Sequence, residues 1–262
     1  MNCKINIVNK RRLASLTAEL LAVGCLALSS SAWAQEENAN EGRWSFTPYV
    51  WLMDTAMDVS IHDQSIEQEI KFTDVIDKVE IAFQGHLERN TDRFGLFADV
   101  TYFSIADDVT EHGVKLDADI KLEFYEVGAL YHLSGNSLTG ISVLGGLRHV
   151  ASEQDIELQG EGEPGLQHSS SNSVGLTDAM LGARYVRRIS DRWQLGFRGD
   201  YSVGDTEGTW NFQALIGRQF QTKRIRGSAL FGYRYMQMDI EDGPLESEYT
   251  LSGPIVGMRI EF

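Results

Sequence analysis

Gly253-Pro254-Ile255-Val256-Gly257-Met258-Arg259-Ile260-Glu261-Phe262 closes the chain, and its reading decides the fold. Pro254, Val256, Met258, Ile260 and Phe262 are nonpolar and alternate with Gly253, Gly257, Arg259 and Glu261. A period of two is the repeat of an extended strand, so the two sets lie on opposite faces. An ordinary sheet edge alternates too. What sets this stretch apart is an aromatic on the nonpolar face at the last position.

The same alternation runs back through the chain. Ten extended segments can be marked, at about 43–60, 80–89, 93–106, 116–133, 137–158, 174–189, 193–204, 209–220, 224–240 and 247–262. Four connections are tight and rich in turn formers: 90–92, 134–136, 190–192 and 221–223. The others, 61–79, 107–115, 159–173, 205–208 and 241–246, are longer or more acidic. In segment 193–204, Trp193, Leu195, Phe197, Tyr201 and Val203 oppose Gln194, Arg198, Asp200 and Ser202. In 224–240, Ile225, Ala229, Phe231, Tyr233 and Tyr235 oppose Arg226, Ser228, Gly232 and Arg234. One face suits lipid and the other a lumen, with rings near strand ends forming interfacial girdles.

The closing strand resembles that of Gram-negative outer-membrane barrels, which typically end in Phe. Together these features predict an all-β, single-chain antiparallel transmembrane barrel of ten strands, with eight or twelve as the alternatives, in the bacterial outer membrane. Short turns would face the periplasm and longer connections the outside. A soluble antiparallel sandwich would also show hairpins, but not such long strands with aromatic outer faces.

The N-terminus fits export. Lys4, Lys10, Arg11 and Arg12 precede an apolar run from Leu20 to Leu28 and the small-residue site Ala32-Trp33-Ala34, which predicts a signal peptide over 1–34. A lipoprotein reading with Cys25 as the lipidated residue is the alternative. Residues 35–42 form a short lead-in and 43–262 the barrel. Both cysteines, Cys3 and Cys25, fall in the leader, so the mature chain has no disulfide, thiolate metal site or cysteine nucleophile. Removing the leader takes Lys+Arg from 23 to 19 and Asp+Glu from 38 to 37, moving the net charge from −15 to −18. Nucleic acid, which wants a basic face, is excluded as a partner.

Gly-x-Arg recurs at Gly146-Leu147-Arg148, Gly182-Ala183-Arg184, Gly196-Phe197-Arg198, Gly232-Tyr233-Arg234 and Gly257-Met258-Arg259. Glycine and arginine two apart share a face, here the inward one, and the small residue is expected to leave room for the guanidinium stem. By the same alternation His86, Glu88, Asp99, Glu126, Asp178, Asp200 and Glu261 also point inward. A buried charge must be paired or wetted, so these residues are expected to form a lumen network with Arg148, Arg184, Arg198, Arg234 and Arg259. Such a network is either a structural plug or a charged eyelet. A ring of about ten strands leaves little free space, so any path is narrow.

The longer connections hold fifteen acids against three lysines. An acidic mouth would concentrate cations or bridge through divalent ions to lipopolysaccharide, and plain solvation explains it equally well. No Asp-x-Asp-x-Asp-Gly calcium loop occurs. Within 61–79, Thr73-Asp74-Val75-Ile76 offers an N-cap and a helical turn, while Met57–Ile61 and Glu69–Phe72 offer a hairpin.

No catalytic, cofactor or metal set stands out. His168 and Ser170 look like the His-x-Ser pair of outer-membrane phospholipase but fall in a Gly/Ser-rich loop reading, 160–173. His149 and Ser152 point to opposite faces. His62-Asp63 lacks the surroundings of the omptin proteases. An outer-membrane hydrolase is therefore a distant alternative to a non-enzyme.

Trp44-Ser45-Phe46-Thr47-Pro48-Tyr49-Val50-Trp51, Phe83-Gln84-Gly85-His86, the Gly-x-Arg triplets and Phe262 resemble a widespread group of uncharacterised proteobacterial outer-membrane proteins opening on Thr-Pro-Tyr-x-Trp. That resemblance implies the barrel but no activity. The functional expectation is at most a narrow channel for small, cation-favoured solutes, with a closed structural or surface-interaction barrel as the alternative. Expected partners are outer-membrane lipid and lipopolysaccharide, the assembly machinery that reads the last strand and Phe262, and divalent cations at the acidic loops.

Overall fold

The computed structural model describes residues 42–61, 64–76, 78–111, 114–134, 139–160, 167–222, 225–242 and 245–262. The expected leader with both cysteines, and the lead-in up to residue 41, lie outside these.

Twelve strands follow in order: β1 Arg43–Trp51, β2 Asp54–Ile61, β3 Gln64–Ile70, β4 Val79–Asn90, β5 Phe94–Glu111, β6 Val114–His132, β7 Gly140–Gly160, β8 Gln167–Arg188, β9 Trp193–Gly204, β10 Gly208–Gln221, β11 Arg226–Asp242 and β12 Leu245–Glu261. A single helical turn, α1 (Phe72–Val75), separates β3 from β4. Each strand from β4 to β12 pairs antiparallel with the next, and β1 pairs with both β4 and β12. The result is a closed ring of ten strands, with β2 and β3 added at its outer end.

β1 and β2 behave as one strand. Ser45 faces Glu261 in β1, and Asp54 faces Ser252 in β2, so the register against β12 is unchanged across Leu52 and Met53. The expected single segment 43–60 is thus a strand interrupted only in its ladder. Pro48 makes the last β1–β4 pair, opposite Gly85. Its missing N–H costs nothing at a ladder's end. Beyond it the Gln84 side chain takes over: its Oε1 accepts from the Trp51 amide at 2.6 Å and its Nε2 donates to the Trp51 carbonyl. Among the described residues no ladder joins β3 to β4.

Strand lengths are uneven. β7 and β8 have 21 and 22 residues, β9 and β10 only 12 and 14. Hence most residues read as long acidic connections are strand: β5–β6, β7–β8 and β11–β12 stay paired almost to their tips. In these outer halves both faces meet water, so the sequence carries no hydrophobic alternation to mark them as strands. Region 61–79 holds both a hairpin, β2–β3, and the helical turn. Lys71, not Thr73, is the N-cap, and the Thr73 hydroxyl instead donates to the Asp74 carboxylate. Phe72 packs edge-on against Phe103 at 6.5 Å.

The inner turns carry their own chemistry. Thr91 bonds back to Phe94, and Thr222 to Ile225, each through both hydroxyl and amide. Gly140 has φ +100°, a conformation that favours glycine.

The outer surface is an apolar band. Leu147, Leu181, Phe212, Phe231, Tyr233 and Val256 are all about half exposed or more. Trp193 and Tyr201 mark its two edges on β9. The eight residue-to-residue steps of tilted strand from one to the other span about 20 Å, close to the height of a membrane barrel's apolar belt. At the inner edge Arg89 and Arg218 stack on Trp44 and Trp193 at 5.5 and 5.8 Å. Arg218 thereby keeps its charge at the interface although its strand position faces lipid. A closed barrel with this belt is an integral outer-membrane protein.

Candidate functional site: a charged layer across the lumen

Ring closure aims one residue in two from every strand at a common axis, so groups far apart in sequence meet there. Glu126 on β6 is the hub. Its Oε1 accepts from Arg148 Nε at 3.0 Å, Arg148 Nη2 at 2.9 Å and Arg234 Nη2 at 3.1 Å, and its Oε2 accepts from Arg198 at 2.7 Å. Asp200 completes the cluster, accepting from Arg148, from Arg198 Nε at 2.7 Å and from Asn211 at 2.8 Å. Arg148 and Glu126 are only 1 and 2% exposed. β6 and β11 stand five places apart in the ten-strand ring, so the Arg234–Glu126 bond crosses its full diameter.

A second cluster lies beside it. Arg184 Nη1 donates to Glu88 at 2.6 Å, and His86 sits between Glu88 at 3.1 Å and Asp99 at 2.9 Å. Tyr49 donates to Asp99 at 2.7 Å. His132 joins the inner end through Ser142 and Asn90.

Three of the residues read as inward-facing stand apart from these ion pairs. Asp178 accepts from hydroxyls and an amide, those of Ser202, Thr206 and Thr209 and the Thr206 N–H, pinning the short β9–β10 connection. Arg259 leaves a buried Nε without a partner among the described residues. Glu261 borders the inner mouth with Arg226 and Arg43.

The glycines of the triplets serve a different purpose from the expected one. A Cβ on Gly146 would lie 2.1 Å from the Val127 carbonyl, and one on Gly232 2.0 Å from that of Ala214. These glycines let neighbouring strand backbones approach where the sheet curls inward. Only Gly196 leaves open space, with nothing within 4 Å of its added Cβ.

Charge is only part of the lumen's filling. On the outer side of the ion pairs lies an apolar cluster of Trp51, Phe124, Val150, Met236, Met238, Leu251 and Ile255. Trp51 and Met236 are wholly buried, and Arg234 stacks on the Trp51 ring at 4.7 Å. Phe97, Leu130, Leu144 and Met180 form a smaller cluster toward the inner end. Sequence reading missed these. The signal was present in their parity, since Met236 and Met238 share a face with Arg234, and Phe124 with Glu126.

Of the histidine–serine pairs, His168 and Ser170 lie in β8 and not in a loop, but opposite Leu158 and Ile156. His149 bonds outward to Thr177 at 2.9 Å. Residues 62 and 63 lie outside the described part. No group of three His, Cys, Asp or Glu fit to hold a metal occurs among the described residues.

No protein-family profile matches the chain, and no curated protein sequence does. Solved structures do. The outer-membrane protease OmpT of Escherichia coli superposes with a TM-score of 0.50 at 8% identity, covering 87% of this chain and 99% of its own. Ail, the attachment invasion locus protein of Yersinia pestis, gives 0.35 at 11% identity over 85% of this chain and 99% of its own. OprG of Pseudomonas aeruginosa gives 0.30 at 13%, over 85 and 97%. At these identities the likeness is one of fold, that of an outer-membrane β-barrel.

Proposed function

We propose that this protein is a closed outer-membrane barrel whose working surface is its outer face, and not a solute channel. The observation that carries this reading is the Arg234–Glu126 bond across the lumen, sealed on the outer side by wholly buried Trp51 and Met236. A ring of this size needs little more than its own side chains to fill it. The tall sheet of β5–β8, with exposed Glu153, Asp155, Glu157 and Ser169–Ser173, then stands above the apolar belt as a platform for a surface partner. Lipopolysaccharide, bridged by divalent cations to such acids, is the immediate neighbour that this chemistry suits. Insertion is expected to rely on the assembly machinery through β12 and Phe262. No catalytic role is assigned.

Planar-bilayer recording tests the proposal. Purified protein is expected to give no steps above baseline in 1 M KCl. Steady, cation-selective conductance that shifts in Glu126→Gln would instead establish the narrow channel.

A further inference from the structure

Inward of the charged layer lies a cavity of about 110 Å³. Its acceptors are taken: Asp99 receives Tyr49 and His86, and Glu88 receives His86, Arg184 and Asn90. Its donors are not. Five buried side-chain polar atoms lack a partner among the described residues, and three of them, Thr47 Oγ1, Arg184 Nε and Arg259 Nε, belong to residues lining this cavity. Thr47 is 6% exposed. The flanking pairs Phe46–Ile260 and Tyr49–Gly257 set Thr47 directly across from Arg259 in the β1–β12 register.

The charge balance points the same way. Four arginines, Arg184, Arg198, Arg234 and Arg259, line the cavity against two carboxylates, Glu88 and Asp99. The Glu126 and Asp200 carboxylates that neutralise Arg198 and Arg234 lie outside the wall, which leaves Arg259 without a counter-ion in the cavity. Water satisfies a donor but supplies no charge. Phe97, Leu130 and Leu144 line another part of the same cavity, and their apolar surface favours a ligand body over water.

We propose that this cavity binds a small organic monoanion with an apolar body, of the short-chain or aromatic monocarboxylate class. Its carboxylate meets Arg259 and Thr47, a guanidinium fork being matched to two carboxylate oxygens, with Arg184 as a further donor in the wall. Its body lies against Phe97, Leu130 and Leu144. A space of about 110 Å³ restricts the ligand to a small ion and excludes a full lipid.

The test uses the purified barrel in neutral detergent micelles with 4-fluorobenzoate as the probe, followed by fluorine NMR. Saturable binding is expected, weakened at least tenfold in Arg259→Gln. Gly196→Leu provides a second variant, because Gly196 lines the cavity and a Cβ added there meets no atom within 4 Å. It should abolish binding while the barrel keeps its heat-modifiable gel migration. Neutral 4-fluorobenzyl alcohol should show no difference between wild type and Arg259→Gln. Non-saturable uptake of 4-fluorobenzoate, or equal binding by wild type, Arg259→Gln and a folded Gly196→Leu, would overturn the site. Competition by inorganic phosphate as strong as that by benzoate would overturn the assignment of an apolar-bodied carboxylate.

Discussion

Replacing Glu126 by Gln keeps the shape of the lumen's hub and removes its charge. Three arginines depend on this carboxylate to different degrees. Arg148 keeps Asp200 and Ser202, and Arg198 keeps Asp200. Arg234 keeps only Asn211 and the face of Trp51. The amide also turns one of its two ends, as a donor, toward a guanidinium. Breaking a buried ion pair from one side costs about 3–5 kcal/mol, because the other charge stays behind in a dry site. At about 1.4 kcal/mol per decade, the unfolding equilibrium should move by roughly two to four orders of magnitude. Urea titration of the micelle-refolded barrel, read by tryptophan fluorescence and by heat-modifiable migration, measures it. Glu123→Gln is the control on the same strand, since among the described residues Glu123 accepts only from the exposed Tyr125, and it should cost under about 0.5 kcal/mol. Adding Arg234→Met to Glu126→Gln should recover part of the loss, with a coupling of about 1 kcal/mol or more. The reasoning fails if Glu126→Gln lies within about 1 kcal/mol of wild type, or if it matches Glu123→Gln.

Other expectations follow from single contacts. Gly146→Ala should prevent folding or cost more than about 2 kcal/mol, because its Cβ meets the Val127 carbonyl, whereas Gly196→Ala should lie within about 0.5 kcal/mol; the same titration compares them. Trp51→Ala should cost about 3–5 kcal/mol through the void it leaves in the apolar cluster, and combined with Met236→Ala it should raise bilayer conductance above the wild-type baseline. Gln84→Leu removes the side chain that satisfies the Trp51 main chain and should cost about 1–3 kcal/mol, with faster hydrogen exchange at the Trp51 amide. Phe231→Arg, on the lipid face, should cost about 2–4 kcal/mol in bilayers, and Arg at exposed Glu157, far out on β7, almost nothing.

Legibility of the fold tracked the solvent on each side of a strand. Within the membrane one face meets lipid and the other the lumen, so Phe231, Tyr233 and Tyr235 alternate with Gly232 and Arg234 and the strand declares itself. The outer halves of β7 and β8 meet water on both sides, so Ser169–Ser173 reads as loop although its backbone stays paired with Glu153–Glu157. Position 43–60 was legible as one strand and the following hairpin as one of the readings of 61–79, while the ladder break at Leu52 was not, because the strand keeps its register against β12 across it.

Amino-acid order alone made the all-β barrel legible, with ten strands preferred over eight or twelve, because a period of two is a local property that lipid enforces on every strand. The tertiary structure decided who meets whom. Glu126 and Arg234 are 108 residues apart, and they touch only because closure sets β6 opposite β11. The same closure pushes Met236 and Phe124, in phase with the charges, into one apolar seal. It also gives Asp178 to hydroxyls where an arginine was expected, and leaves Arg259 facing a cavity with its Nε unpartnered. Partner choice inside a barrel depends on register, curvature and diameter, which are properties of the closed ring and of no single strand.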